Sequence, residues 1–214
     1  MSAMRRRTAL ILGVVILLAG IGGVVAVRWW QGRPPYAPEA LHAQATLQLV
    51  DQATADAALA PVTAEQAGAG DQIFLGRVTW TVPPDPQRDE SLRIVLLDKR
   101  SHLLPGFLAV TAARPDDVGT GTDGALDSAQ QRYPWLRGAG TREAGGSSWS
   151  AGSAIFSSVG ASPVTFQTVL RPERPGTPPE QRVATGPATV GDLLVALISV
   201  GPDGQVHWAQ RLLN

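Results

Sequence analysis

The chain has 214 residues, of which 18 are basic, 18 are acidic and none is cysteine. The lack of cysteine excludes disulfides, thiolate metal sites and cysteine nucleophiles. Residues 1–33 carry five arginines and no acidic side chain, so residues 34–214 hold 13 basic against 18 acidic side chains, a balance of −5. A mildly acidic region lacks the basic surface that nucleic-acid binding requires, and we therefore expect no nucleic-acid partner.

The N-terminal region contains one long apolar segment. Between Arg7 and Arg28 lie twenty residues without a charge, at positions 8–27. Twenty residues in an α-helix span about 30 Å, which is the thickness of the hydrocarbon core of a bilayer. Trp29 and Trp30 follow at the position where interfacial aromatic residues are common. We therefore predict a transmembrane helix at 8–27, with the lipid bilayer as its partner.

The arginines on either side of this segment predict its orientation, because short basic N-termini normally stay in the cytoplasm. We expect residues 1–7 to be cytoplasmic, residues 28–38 to form a proline-rich juxtamembrane spacer and residues 39–214 to form an extracytoplasmic domain. The residues expected at the membrane interface are Arg5, Arg6, Arg7, Arg28, Trp29 and Trp30. A cleaved signal peptide is the alternative, although the apolar region of such a peptide normally has only about 7–15 residues.

The segment 39–60 admits two interpretations. Leucine and alanine recur in it at four-residue steps, and a proline follows it, which favours one amphipathic helix. The alternative is a strand at 45–50, where leucines alternate with polar residues, followed by a short helix at 53–60.

Most of the remaining chain is predicted to form strands. Short runs of β-branched, aromatic and other apolar residues are separated by turn-forming residues. These runs lie at 73–82, 91–98, 107–112, 148–158, 163–170, 190–200 and 205–213. The sequence Gly-Pro-Asp-Gly at 201–204 joins the last two as a hairpin, because each residue suits its turn position. The pattern predicts a mainly β fold, a sandwich or small barrel, with one or two short helices such as 126–132.

Two polar segments, 114–146 and 171–187, interrupt this pattern and are predicted to be loops. Trp135 and Trp149 lie in and beside the first of them. Exposed aromatic rings there could contact a sugar, a peptide or a partner surface, and we predict ligand or partner contact for both residues. The alternative is that the two rings pack against the loop itself.

No pattern in the sequence indicates a catalytic or metal site. The segment 148–152 (SWSAG) approximates the nucleophile elbow G-x-S-x-G but lacks the strand before it and the helix after it. His42, His102 and His207 have no partner at metal-ligand spacing, and His207 is predicted to point outward from the hairpin. The aspartates of the first loop, which lack EF-hand spacing, are Asp116, Asp117, Asp123 and Asp127. We expect no catalytic residue, no metal and no cofactor.

These observations lead to one functional expectation and two alternatives. We expect a binding or assembly module of the cell envelope, held at the cytoplasmic membrane by a single span, with other envelope or membrane proteins as partners. One alternative is an exported hydrolase that uses serine, histidine and carboxylate residues around 114–158. The other is an accessory subunit of a larger membrane complex, whose span packs against other helices.

Overall fold

The computed structural model of the protein describes residues 2–31, 33, 40–82, 90–100, 105–121, 124–136, 154–170 and 186–213. In the first helix, the side chains of residues 16–30 are described. Several predictions concern residues outside these ranges: the strand residues and elbow-like segment at 148–153, most of the loop at 171–187, His102 and Asp123.

Helix α1 spans Ser2–Gln31 and contains the apolar segment. Each of its large aliphatic side chains from Ile16 to Val27 is more than half exposed. Where helical side chains are described, no helix is long and apolar enough to cross a membrane. The transmembrane helix at 8–27 stays a prediction.

Strand is the commonest element in the described chain, which contains nine strands. In chain order they are β1 (His42–Val50), β2 (Gln72–Thr81), β3 (Ser91–Asp98), β4 (Ala109–Ala112), β5 (Val118–Gly121), β6 (Ala154–Ser158), β7 (Val164–Leu170), β8 (Leu193–Val200) and β9 (Val206–Leu213). They form two antiparallel sheets: sheet A in the order β1-β2-β7-β4 and sheet B in the order β5-β6-β3-β8-β9. The predicted mainly β fold is therefore confirmed.

The sheets and helices are packed in layers, with three clusters of buried apolar side chains between them. The largest cluster lies between the sheets and draws side chains from both. Helix α2 (Gln52–Leu59) covers part of the outer face of sheet A. Helix α3 (Gly124–Arg132) and the short 3-10 helix Pro134–Leu136 cover the outer face of sheet B. Because sheet B is covered on both faces, all eight residues of β8 are buried, which explains why seven of the eight are apolar.

The prediction of a single helix over 39–60 is wrong, and the alternative, a strand followed by a helix, is confirmed. In β1, the side chains of Ala43, Ala45 and Leu47 pack at two-residue steps against the cluster between the sheets. A four-residue recurrence also fits a strand, because four is a multiple of two. Helix α2 begins after Asp51, whose side chain accepts a hydrogen bond from the backbone N–H of Thr54 at 2.8 Å and caps the helix.

Strand β5 lies inside the segment 114–146, which is predicted to be a loop. Its sequence, Val-Gly-Thr-Gly, has no apolar alternation that would indicate a strand. It is a strand because it pairs with β6, from Val118 opposite Ser157 to Gly121 opposite Ala154. Such an edge strand depends on its neighbour rather than on its own propensity.

Candidate functional site

A cleft of about 860 Å³ opens at one end of sheet B, where β3 begins and where β6 and β8 end. The short 3-10 helix Pro115–Asp117 and the residues that follow β6 and β8 complete its walls. The lining side chains that carry charge or can form hydrogen bonds include Glu90, Arg114, Asp116, Asp117, Ser157 and Ser158. Strand ends and turns thus gather polar groups at the rim of an otherwise apolar sheet.

Glu90 is a buried carboxylate in the wall of this cleft, with 4% of its surface exposed. Its Oε1 atom lies 2.6 Å from Nδ1 of His207, and both side chains are buried. One proton between these two atoms makes a short hydrogen bond. Glu90 Oε2, in contrast, is buried without a hydrogen-bond partner among the described residues. Because an unpaired buried carboxylate oxygen is costly, this atom marks a place where a hydrogen-bond donor is needed.

His207 reaches Glu90 because β9 contains a bulge. Ser199 pairs with Trp208 and Val200 pairs with Val206, so His207 is an extra residue between two paired positions. A bulge redirects the side chains of its strand. The prediction that His207 points outward is therefore wrong: it assumed regular alternation, whereas the bulge turns the imidazole into the interior.

Gly201 provides the space for this imidazole. A Cβ atom at position 201 would lie 2.5 Å from His207 Nε2 and 2.9 Å from Asp203 Oδ1. A side chain would therefore displace the ring. The glycine at the start of the hairpin turn thus leaves room for His207 to contact Glu90.

Two neighbouring serines of β6 differ in their bonding. Ser158 Oγ donates a hydrogen bond to Asp117 Oδ2 at 3.0 Å and accepts one from the backbone N–H of Gly160 at 3.2 Å. Ser157 Oγ is buried and has no hydrogen-bond partner within the described chain. The hydroxyl proton of Ser158 is therefore bonded to a carboxylate that also lines the cleft. Ser157 resembles Glu90, because each lines the cleft and has a buried polar atom without a partner among the described residues.

Acidic groups outnumber basic ones in this cleft. Glu90, Asp116 and Asp117 are lining carboxylates, and Arg114 is the only base among the described lining residues. The Arg114 guanidinium lies 3.8 Å from Asp117 Oδ2, and its side chain is 70% exposed, so water weakens this ion pair. No group of three or more histidine or acidic side chains in the described ranges is placed to hold a metal. The negative excess favours a ligand that brings a cationic group or hydrogen-bond donors.

Trp135 and Trp149 are the residues predicted to contact a ligand. Trp135 does not line the cleft, and Trp149 lies outside the described residues. Trp135 is half-buried on the outer face of sheet B, where its ring centroid lies 6.0 Å from that of Tyr133. The guanidinium carbon of Arg211 lies 5.0 Å from the Trp135 ring centroid. Ligand contact by Trp135 and Trp149 stays a prediction.

The residues predicted at the membrane interface are described in part. Arg28, Trp29 and Trp30 lie in the last turns of α1, and both indole rings are exposed. The guanidinium carbon of Arg33 lies 3.7 Å from the Trp29 ring centroid. The side chains of Arg5, Arg6 and Arg7 lie outside the described part of the chain.

Sequence reasoning missed the pair formed by Glu90 and His207. The two residues lie 117 positions apart, and no motif links them. One available signal is that His207 stands between Val206 and Trp208 in a strand of apolar character, where a polar side chain needs a buried partner or an exit to solvent. The identity of the partner depends on strand order, which the sequence does not reveal.

The cleft therefore offers charge and hydrogen bonding rather than a recognisable set of catalytic groups. Its components are a histidine–carboxylate pair with an unpaired oxygen, a serine hydroxyl bonded to an aspartate, and an exposed arginine. No known protein family, no curated protein and no solved structure matches this chain.

Proposed function

We propose that the chain is a single-pass membrane protein whose residues 39–214 form an extracytoplasmic binding module, and that the cleft beside Glu90 is its ligand site. The observation that carries the proposal is that Glu90 lines the cleft and that its buried Oε2 atom has no hydrogen-bond partner among the described residues. A ligand that donates a hydrogen bond to this atom would satisfy it and gain affinity, because the carboxylate is already desolvated.

The membrane anchor is supported by the composition of α1. Its uncharged run of twenty residues at 8–27 is long enough to span the hydrocarbon layer. Exposing the aliphatic side chains from Ile16 to Val27 to water would cost about 25 cal/mol for each Å² of apolar area, and a bilayer removes that cost. The arginines before residue 8 favour a cytoplasmic N-terminus, which leaves the sheets on the opposite side of the membrane.

The ligand class follows from the balance of charge. The cleft presents three lining carboxylates against one largely exposed guanidinium. An ammonium or guanidinium group suits Glu90 and Asp116, since a charge-assisted hydrogen bond to a buried carboxylate is stronger than a neutral one. The volume of about 860 Å³ accommodates a short peptide or a small molecule of similar size. We therefore assign amine-bearing or guanidinium-bearing ligands, including a basic segment of an envelope protein.

Calorimetry on the full-length protein in lipid nanodiscs tests the ligand site. The probes are the N-acetylated and C-amidated tripeptides Gly-Lys-Gly, Gly-Gln-Gly and Gly-Glu-Gly, in which only the central side chain can carry a charge. We expect heat of binding from the lysine peptide and none from the glutamate peptide. Glu90→Gln should weaken binding of the lysine peptide at least about tenfold, because it removes the buried charge.

The matched control is Asp127→Asn, which removes an exposed carboxylate on α3, away from the cleft. This variant should bind like the wild type. Equal affinity of the wild type and Glu90→Gln, or the absence of binding by all three peptides, would reject the cleft as the site.

Membrane topology is tested separately. Ultracentrifugation of cell extracts should leave the full-length chain in the membrane fraction, and a protease added to intact spheroplasts should degrade residues 39–214. A full-length chain in the soluble fraction would remove the anchor from the proposal without affecting the cleft.

A hydrolase is the second candidate, and one observation favours it: the 2.6 Å contact between His207 and Glu90, which resembles the way a carboxylate orients a catalytic imidazole. Ser158 does not complete this arrangement, since its hydroxyl donates to Asp117. Turnover of p-nitrophenyl esters by the wild type that is lost in His207→Asn would favour the hydrolase. Equal background rates in the two proteins would reject it.

A further inference from the structure

The four sheet edges differ in how well they are protected from pairing with another strand. An exposed strand edge is a template for a further strand unless it is short, bulged, charged or interrupted by proline. Strands β4 and β5 are the outer strands at one end of each sheet, and each has only four residues. Strand β9 is longer but is bulged at two places and carries Arg211. These three edges are therefore protected.

Strand β1 forms the fourth edge and has none of these protections. It has nine residues, all nine pair with β2 in an unbroken register, and its sequence His-Ala-Gln-Ala-Thr-Leu-Gln-Leu-Val contains no proline and no Lys, Arg, Asp or Glu. Among the described strands it pairs with β2 alone, and its contact with β9 across the sandwich is not a ladder of hydrogen bonds. Within the described residues, one backbone edge of β1 therefore has no strand paired to it.

The sequence of β1 is complementary to itself when two copies run antiparallel and are centred on Thr46. In that register Gln44 lies opposite Gln48 of the other copy, so that the two amides can bond to each other, and Thr46 lies opposite its own equivalent. Ala43 lies opposite Leu49. Leu49 is 53% exposed, and this pairing covers its apolar side chain with the small Ala43 side chain of the second copy.

We infer that β1 is the interface through which a second copy of this chain joins, so that the two A sheets continue into one another across β1. This inference goes beyond the proposed ligand site, because pairing at β1 does not involve the cleft at the end of sheet B. Anchoring of both copies in one membrane would favour pairing, since it raises their effective concentration.

Single cysteines test the register directly, because the native chain contains no cysteine. Thr46→Cys should form a disulfide-linked dimer when membranes that contain the full-length chain are oxidised with copper phenanthroline. Gln48→Cys is the matched control on the same face of β1. In the proposed register its two copies are offset by four residues, or about 13 Å, which is beyond disulfide reach. We expect its dimer yield to be at least about tenfold lower.

A mixture of Gln44→Cys and Gln48→Cys copies should form the cross-linked heterodimer, because these positions are opposite one another. Non-reducing electrophoresis reports all three results. A Thr46→Cys chain that stays monomeric under oxidation, or that cross-links to a protein of different mass, would overturn the inference. The latter result would identify a different occupant of the edge.

A charge at the centre of the interface provides the second test. Thr46→Glu places two carboxylates opposite each other in the dimer, whereas within one chain the new side chain lies opposite Arg77 of β2. We expect Thr46→Glu to leave the unfolding midpoint of the folded chain unchanged. When it is added to both the Gln44→Cys and the Gln48→Cys chains, the yield of their cross-linked dimer should fall at least about fivefold. Thr120→Glu on the β5 edge is the control and should leave the yield unchanged. An unchanged yield in Thr46→Glu would contradict the inference even if the chain is folded.

Discussion

Strand β3 has a buried carboxylate at each end, and the two are held in different ways. Asp98, its last residue, accepts three hydrogen bonds from Arg100: from the backbone N–H at 2.9 Å, from Nε at 3.1 Å and from Nη2 at 3.0 Å. Glu90, which precedes its first residue, contacts His207 through Oε1, and its Oε2 has no partner within the described residues. Both carboxylates are buried, so the difference lies in their partners.

This difference in partners suggests different roles for the two ends of β3. At the Asp98 end, the chain itself supplies a matched cation, and both carboxylate oxygens are bonded. That end also has no need of a ligand. At the Glu90 end, a residue that lines the cleft has one carboxylate oxygen without a partner among the described residues, which is a cost to folding that a bound donor would recover. The different bonding of the two carboxylates on one strand thus supports the proposal that the Asp98 end is structural and the Glu90 end binds a ligand.

The largest effect is expected from breaking the Asp98 end. Arg100→Met leaves the Asp98 carboxylate buried without its cation, which should lower the free energy of unfolding by about 3–5 kcal/mol. Urea unfolding followed by tryptophan fluorescence measures the change. Arg114→Met is the control, because its exposed ion pair with Asp117 should contribute about 1 kcal/mol or less. Equal effects of the two substitutions would contradict the comparison.

An effect of intermediate size is expected at Gly201, which lies at the Glu90 end. Gly201→Ala places a methyl group 2.5 Å from His207 Nε2, so the ring or the turn must shift and the contact with Glu90 is disturbed. We expect a loss of about 1–3 kcal/mol of stability, measured by urea unfolding, together with weaker binding of the lysine tripeptide. Gly124→Ala is the control, because nothing lies within 4 Å of the added carbon and Gly124 does not line the cleft; it should change stability and binding much less.

Direct substitution of the two acids sharpens the comparison. Asp98→Asn removes the charge that Arg100 satisfies and should cost about 1.5–3 kcal/mol. Glu90→Gln removes a charge with an unpaired oxygen and should change stability by about 1 kcal/mol or less. Chemical denaturation of both variants at neutral pH decides the order. A larger loss in Glu90→Gln would mean that Glu90 serves the fold.

The smallest effect is expected from Asp192, close to the Asp98 end. Hydrogen bonds from the backbone N–H and the hydroxyl of Thr189 hold the pKa of Asp192 below its ordinary value of 3.8, and Arg100 and Lys99 lower it further. Since the folded pKa is depressed, the stabilisation is present above pH 3.8 and is lost as the pH falls through the folded pKa.

Thermal unfolding of the wild type and Asp192→Asn at several pH values measures this contribution. The variant should melt at a slightly lower temperature near neutral pH, and the two proteins should converge once the pH is below the folded pKa of Asp192. A difference in melting temperature that persists under strongly acidic conditions would show that the carboxylate charge is not its cause.

The sequence predicts the fold where one physical signal dominates. Strand β3 was predictable from 91–98 because a short apolar run ends at turn residues, and the final hairpin because Gly-Pro-Asp-Gly suits a turn. Strand β1 was ambiguous, since alanine and leucine at four-residue steps fit a helix as well as a strand. Strand β5 was not predictable, because its pairing with β6 alone makes it a strand.

The candidate site could not be predicted from the sequence, and the reason differs from that for β5. The inward direction of His207 depends on a bulge, which changes side-chain direction without leaving a clear signature in the residues around it. The contact of His207 with Glu90 depends on β3 and β9 both lying beside β8, a property of strand order. Local patterns describe single elements, whereas this site is made by the arrangement of three.

The double covering of β8 and its neighbours has a consequence for how this protein can diversify. Sheet B lies between sheet A on one side and α3 on the other, so most of its described side chains away from the strand ends are buried. Substitutions at the turns and strand ends can therefore alter what the protein recognises while the layered interior stays constant. Homologues should share the apolar strands and vary around Glu90, so recognition can change without loss of folding.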